Sequence, residues 1–140
     1  MNMTNRLEDA KIDVKLKLAV LWVSVMFLYI YADYFGLHIP GHIEDIIAGE
    51  VAGSQITDVW LLAVSIFMMI PSLMICLSLI LNAKVNRMTN IILGIFNIGL
   101  VLISGFTGET WPFFMLFSFV EAVLLSLIVW YAWKWPTQEG

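Results

Sequence analysis

Four long apolar runs constrain the fold of this chain more than any other feature of its sequence. They cover about residues 16–37, 57–82, 90–107 and 112–133. Each approaches or exceeds the roughly 20 apolar residues that a helix needs to cross a bilayer. Backbone groups in lipid must be paired within the chain, so lipid-spanning runs of this kind are helical. The sequence therefore predicts an all-α, polytopic membrane protein, a bundle of four transmembrane helices.

Composition leaves little room for a further domain. The 140 residues are 61% hydrophobic and 13% charged, whereas about a quarter of the residues in a soluble domain are charged. We expect residues 1–140 to form one membrane domain. The first run exceeds the apolar core of a signal peptide and no small-residue cleavage site follows, so we expect it to remain as a helix. The net charge of -4 offers no basic patch, so nucleic acid is not expected as a partner.

The cations predict an orientation for the bundle. All seven Lys and Arg residues lie on one side of the runs, whereas the connections on the other side carry acidic residues without a cation. The positive-inside rule places the basic side, with both termini, in the cytoplasm. The seven cations are Arg6, Lys11, Lys15, Lys17, Lys84, Arg87 and Lys134, and the acids opposite them are Glu44, Asp45, Glu50, Asp58 and Glu109.

The outer connection of about residues 38–56 is long enough to have structure of its own. Pro40 and Gly41 predict a turn, and the isoleucines of residues 43–47 recur at helical spacing, as is typical of a short interfacial helix. We expect Gly49 to end that helix. It could fill the top of the bundle, or it could cover a ligand site.

Glu121 is the residue that points most directly to a function. It lies near the middle of the fourth run, where a charge costs about 2.5 to 3.5 kcal/mol on insertion scales. No Lys or Arg lies at that depth, so we expect Glu121 to face the bundle interior and to carry a proton near neutral pH. Asn97 lies at a similar depth in the third run, where its amide could hydrogen-bond to Glu121 across the bundle. Both could instead be ordinary interhelical contacts.

Asp33 lies about one turn below the outer end of the first run. Tyr29 precedes it by one turn and Trp22 lies further back on the same face. This stripe could bind a cation or an amine through the carboxylate and the aromatic faces. The alternative is that Asp33 accepts backbone N–H groups of the outer connection.

Two stripes of small and polar residues predict which helix faces meet. Helix contacts in lipid are enriched in such residues, so we expect the two stripes to pack together and Ser65 to lie near the candidate site. The second run carries Asp58, Leu62, Ser65, Met69, Ser72 and Cys76 on one stripe, and the third carries Asn90, Gly94, Asn97, Val101 and Ser104.

Signatures of catalysis and of metal binding are missing from the sequence. His38 and His42 are four residues apart, but Pro40 and Gly41 interrupt the helix that would align them, so no metal site is predicted. Cys76 lies in an apolar run and is interpreted as a packing residue. No Gly-rich phosphate loop, paired-cysteine site or Ser/His/Asp arrangement occurs. We therefore predict no catalytic residue and no cofactor.

Short motifs are spread over all four runs. They are Leu21-Trp22, Tyr31-Ala32-Asp33, Pro40-Gly41, Ile70-Pro71, Asn86-Arg87, Asn90-Ile91-Ile92, Glu121 and the run Trp130-Tyr131-Ala132-Trp133-Lys134-Trp135. In these motifs the chain resembles a family of small bacterial four-span membrane proteins known as a domain of unknown function. That resemblance implies fold and topology, and it implies no activity. A looser likeness to DoxX-like proteins rests on architecture alone. We expect the bundle to lie in the inner membrane.

Three functions are compatible with these observations. The first is binding of a small apolar or amphipathic ligand, or of a partner membrane protein, at a site formed by Asp33, Tyr29, the outer connection and Glu121. The second is proton-coupled transport of a small molecule through Glu121 or Asp33. The third, least favoured, is a membrane-bound enzyme. The lipid bilayer is the expected surrounding, and a homo-oligomer in one orientation is compatible with the sequence.

Overall fold

The computed structural model describes residues 6–107 and 111–137. Four of its helices are long and apolar enough to span a membrane, which confirms the predicted all-α bundle. A short helix and a small hairpin lie in the connection between the first two of them. The elements are α1 (Val14–Gly36), α2 (His42–Ile47), β1 (Glu50–Val51), β2 (Ser54–Gln55), α3 (Asp58–Ile80), α4 (Ala83–Thr107) and α5 (Pro112–Trp133).

Polar side chains and a proline set where the long helices begin. The Asp13 carboxylate accepts a hydrogen bond from the Lys15 backbone N–H at 3.0 Å, and the Thr57 hydroxyl accepts one from Trp60 at 3.1 Å. The Asn82 side-chain oxygen accepts a hydrogen bond from the Val85 backbone N–H at 3.1 Å, and Pro112 is the first residue of α5. These contacts satisfy backbone donors that have no partner within the helix.

Helix α4 begins before the third apolar run. It starts at Ala83, whereas the run starts near Asn90. The cap at Asn82 starts the helix early, and its polar first turns are kept helical by hydrogen bonds that Asn86 and Asn90 make inside the protein. Apolar runs therefore mark the lipid crossing, and the helix extends beyond it.

The two ends of the bundle differ in charge. We call the end where α1 begins, where α3 connects to α4 and where α5 finishes the basic end. The opposite end contains the connection between α1 and α3, residues 37–57, which includes Glu44, Asp45 and Glu50. We call it the acid end.

Helix packing is extensive around most of the bundle. Helix α4 packs on α5, α5 on α1, and α1 on α3, whereas α3 and α4 pack together less extensively. The buried core lies mainly toward the basic end, where burial of apolar side chains is most complete. Its members are Leu18, Trp22, Val25, Met74, Val101, Leu125, Ile128 and Ala132.

The connection between α1 and α3 contains the expected short helix, α2. Gly41, with φ of 91°, precedes it, and Gly49, with φ of 85°, follows its C-cap Ala48, which confirms the predicted stop. None of the α2 residues is buried, and Ile47 is 80% exposed. Helix α2 therefore does not fill the top of the bundle, and its isoleucines are free to lie in the membrane interface.

A hairpin after α2 is not predicted from the sequence. Strands β1 and β2 pair through Glu50 with Gln55 and Val51 with Ser54. Ala52 and Gly53, the two turn residues, both have positive φ, which suits the twist of a two-residue hairpin. Two-residue strands are too short to show alternation, and Ala is uncommon in this turn, so sequence analysis has no signal for it.

Candidate functional site

Two polar regions lie inside the bundle, and the residues of the one toward the basic end are fully buried. We call Trp22, Ser78, Asn86 and Asn90 the asparagine cluster. All four residues are 0% exposed. The Trp22 indole N–H donates to the Asn90 amide oxygen at 2.8 Å, and the Asn90 amide nitrogen donates to the Asn86 side-chain oxygen at 2.7 Å. Asn86 in turn donates to the Ser78 carbonyl at 2.6 Å.

These bonds join three helices at one depth. Trp22 belongs to α1, Ser78 to α3, and the two asparagines to α4. Each buried amide or indole donor has an acceptor, so the cluster stabilises the packing and leaves no group free for a ligand. Trp22, a candidate binding residue from the sequence, is thereby placed in a structural cluster.

The second region is a cleft of about 230 Å³ toward the acid end, which we call the acid-end cleft. All four long helices contribute to its wall, and most of the lining is apolar. The lining residues are Tyr29, Ala32 and Asp33 from α1, Phe67 and Met68 from α3, Asn97, Leu100, Val101 and Ser104 from α4, and Phe114, Ser118 and Glu121 from α5.

Tyr29 and Asn97 make one hydrogen-bonded pair across the cleft. The Tyr29 hydroxyl donates to the Asn97 amide oxygen at 3.1 Å, and the Asn97 amide nitrogen donates to the Leu93 carbonyl at 2.9 Å. A bond between Asn97 and Glu121 does not occur among the described residues, where the Asn97 amide pairs with Tyr29 and Leu93 instead. Helix α4 does turn Asn97 inward, as its stripe predicts.

Glu121 is buried but has no polar partner within the described residues. Its side chain is 5% exposed, and it takes part in none of the hydrogen bonds or ion pairs of that part of the chain. No completely enclosed side-chain oxygen there lacks a partner. The Glu121 carboxylate oxygens must therefore reach the open space of the cleft that they line.

Asp33 lines the same cleft from α1. Asp33 is exposed whereas Glu121 is buried, so Asp33 lies nearer the opening of the cleft. The expected alternative, a cap on the outer connection, does not occur among the hydrogen bonds of residues 6–107, in which Asp33 takes no part. The two carboxylates therefore border one space from two different helices.

The structure brings together four of the six residues that the sequence singles out. Tyr29, Asp33, Asn97 and Glu121 all line the cleft. Ser65 does not: it is exposed on α3, where its hydroxyl donates to the Leu61 carbonyl at 2.7 Å. The outer connection, expected to contribute to the site, supplies no lining residue in the described chain.

The small-residue stripe of α3 is exposed rather than buried against α4, which corrects the prediction that the two stripes pack together; one of its members, Ser72, contacts Met26 of α1, with the hydroxyl 3.8 Å from the Met26 sulfur. The members of the stripe are all exposed, and the buried residues of α3 are Pro71, Met74 and Ser78. Because Ser hydroxyls can bond to carbonyls of their own helix, a serine can face lipid with its donor satisfied. The α4 stripe is buried as predicted from Asn90 to Val101.

Sequence analysis misses several residues of the wall. Ser118 lies three residues before Glu121, so its position on the same helix face is a signal that could have found it. Phe67 and Met68 carry no such signal, because most residues of α3 are apolar and the polar stripe of this helix does not include them. Phe67 stacks with Phe96 of α4, with ring centroids 6.3 Å apart, so side chains join α3 to α4 here.

Comparison with protein families gives one result, which covers nearly the whole chain. Residues 7–140 match the model of a family of unknown function, DUF6326. The chain belongs to this family. No curated protein and no solved structure matches it. Membership confirms the resemblance drawn from the motifs and brings no activity with it.

The cleft offers this DUF6326 protein acidic, amide and hydroxyl groups against an apolar wall. Such a combination is typical of small-molecule sites, where a few polar groups orient a ligand that apolar side chains surround. In residues 6–107 and 111–137, no group of three or more His, Cys, Asp or Glu is placed to hold a metal ion. Binding is the chemistry that this geometry supports.

Proposed function

We propose that this integral membrane protein binds a small amphipathic molecule in the acid-end cleft. The observation that carries the proposal is the convergence of Tyr29, Asp33, Asn97 and Glu121, from three helices, on one space whose other walls are apolar. A site of this kind needs no catalytic group. In a bundle that served only for packing, such a space would be closed, or its polar groups would hydrogen-bond to other protein groups, as they do in the asparagine cluster.

The size of the cleft limits the ligand. Its volume of about 230 Å³ is below the roughly 300 to 1,000 Å³ typical of sites for drug-sized molecules. The proposed ligand is therefore small, with one polar end toward the carboxylates and an apolar remainder toward Phe67 and Phe114. Larger lipids would fit only in part.

Native mass spectrometry of the protein released from mild detergent tests the proposal. Ser118→Trp would fill the cleft, and Ser126→Trp, on the exposed side of α5, is the matched control. We expect a small bound mass on the parent and on the control, and its loss from Ser118→Trp. A bare chain in all three samples, with no ligand and no partner, would contradict the proposal. A second bound membrane protein or copy would replace the small molecule as the partner.

The orientation from the cation distribution belongs to the same proposal. With both termini in the cytoplasm and the protein in a bacterial inner membrane, the acid-end cleft would lie toward the outer surface. Single cysteines introduced at Asp45 and Lys84, with Cys76 replaced by Ser, test this in intact cells. Only the cysteine at 45 should react with a membrane-impermeant maleimide, and the reverse result would invert the topology.

Proton-coupled transport is a second candidate, and the shared cleft of Asp33 and Glu121 favours it over a purely structural role for either acid. A carboxylate that exchanges a proton for a substrate must be accessible to the proton and to the substrate. Glu121 meets this requirement because it borders the open space of the cleft. Proteoliposomes with a pH gradient test it. No pH-driven flux of candidate amines, with Glu121→Gln equal to the parent, would remove this candidate and leave binding intact.

A further inference from the structure

We infer that the ligand of the acid-end cleft is a small organic cation, an amine or quaternary ammonium with an apolar group. The inference rests on the proposed binding function and names its ligand class. It is carried by the juxtaposition of two carboxylates, one of them deeply buried and without a partner, with aromatic rings in a cleft that has no cation of its own.

The first step is the charge of the cleft. Asp33 and Glu121 line it, and none of its lining residues is Lys, Arg or His. The cations of the described chain lie at the other end of the bundle, where three of them contact aromatic rings. Lys17 lies over Tyr131, Arg87 over Trp133 and Lys134 over Trp130, at 5.0 to 5.7 Å from the ring centroids. Side chains of the chain itself therefore do not neutralise the cleft.

The second step is the state of Glu121. A buried carboxylate without a hydrogen bond or a countercharge is costly, because the surroundings replace little of its hydration. Its oxygens border the cleft rather than a neighbouring donor. A cation in the cleft would supply a countercharge for the ionised form of Glu121, and a protonated amine would also supply N–H donors.

The third step separates an organic cation from an inorganic one. Hard metal cations take six or more oxygen ligands in a compact shell, whereas most of this wall is apolar. Tyr29, Phe67 and Phe114 present aromatic rings, and rings bind ammonium groups through their faces. Leu100 and Met68 add apolar surface for the rest of the molecule.

Thiol protection with two matched probes tests the inference. Ser104→Cys, made with Cys76→Ser, places a thiol in the cleft wall, and its reaction rate with N-ethylmaleimide reports occupancy. The probes are benzyltrimethylammonium and neopentylbenzene, its neutral isostere with carbon in place of nitrogen, at matched aqueous concentrations. We expect protection by the ammonium at a concentration about tenfold or more below that needed for the hydrocarbon.

Each outcome of the probe experiment decides something. Selective protection by the ammonium supports the inference. Equal protection by both probes overturns it and leaves the binding function standing. No protection by either probe overturns the inference together with the proposed binding of small amphipathic molecules.

Charge variants refine the test. Asp33→Asn should weaken protection by the ammonium about tenfold and leave the hydrocarbon unchanged, and Glu121→Gln should do the same. Asp58→Asn is the control, because Asp58 is an exposed acid at the same end of the bundle outside the cleft wall. An equal loss in Asp58→Asn would assign the effect to general surface charge and overturn the inference. Asp33 is exposed, so its variant remains informative if Glu121→Gln does not fold.

Discussion

The asparagine cluster and the acid-end cleft are both polar regions inside an apolar bundle, but they are satisfied in opposite ways. In the cluster, the Trp22, Asn86 and Asn90 donors all have protein acceptors at 2.6 to 2.9 Å. In the cleft, the carboxylates of Asp33 and Glu121 have none among the described residues. Polar groups buried in lipid without partners are costly, so those that persist beside open space are candidates for function. The contrast supports a packing role for the cluster and the proposed binding role for the cleft.

The largest expected effect comes from removing the centre of the cluster. Asn90→Leu should lower the free energy of unfolding by about 2 to 3 kcal/mol, because the Trp22 indole N–H loses the acceptor that it has in the described chain and stays buried. Reversible unfolding in mixed micelles would measure it. Thr89→Val is the control, since the Thr89 hydroxyl bonds only to Val85 of its own helix. Equal effects of the two variants would remove the special role of the cluster.

A second variant probes the contact of α4 with α5 between the two regions. A Cβ at Gly94 would lie 2.7 Å from a γ-methyl of Val129, a branched side chain with little freedom to move. Gly94→Ala should therefore destabilise the protein by about 1 to 3 kcal/mol. Gly99→Ala, whose Cβ would meet nothing within 4 Å, should be neutral or slightly stabilising. A stable Gly94→Ala would show that α4 and α5 can separate at little cost.

The cleft should respond to substitution in the opposite direction. Glu121→Gln keeps the shape and removes an ionisable group that has no partner, so we expect unchanged stability or a gain of about 1 kcal/mol in the empty protein. The thermal midpoint in detergent measures this beside Asn90→Leu. A loss as large as that of Asn90→Leu would break the comparison, because Glu121 would then be structural.

The smallest effect concerns the one hydrogen-bonded pair of the cleft. Tyr29→Phe removes the 3.1 Å bond to Asn97 and should cost about 0.6 kcal/mol, the average for such bonds between membrane helices. Tyr31→Phe, on an exposed position of the same helix, should cost nothing measurable by the same unfolding assay. A loss above about 2 kcal/mol would move Tyr29 into the structural group.

Depth and helical spacing predict the fold and much of the cleft from sequence. The four helices follow from apolar length, and Asp33, Tyr29, Asn97 and Glu121 follow from polar residues placed at compatible depths. Those residue types are informative because lipid makes each of them costly.

The remaining features depend on packing that sequence periodicity does not encode. Ser65 is placed on the wrong face because its hydroxyl is satisfied within α3, so its orientation carries no penalty. Trp22 is grouped with the candidate site because it lies on the same face of α1 as Asp33. Its indole N–H instead donates to Asn90, a partner 68 residues away in the sequence that helical spacing does not reveal. Phe67 lines the cleft from a mostly apolar helix whose polar residues lie on a different stripe, so no sequence pattern marks it.

Two hydrogen bonds hold α3 to α4 at Ser78: the Asn86 amide donates to the Ser78 carbonyl, and the Ser78 hydroxyl donates to the Asn90 amide oxygen. They clamp this helix to α4 near the basic end, whereas Phe67 lies farther along it at the cleft. At 1.5 Å per residue the distance from Ser78 to Phe67 is about 16 Å. A tilt of α3 by about 5° about that clamp would displace Phe67 by about 1.4 Å. A small rotation of α3 about the asparagine cluster would therefore change the width of the cleft.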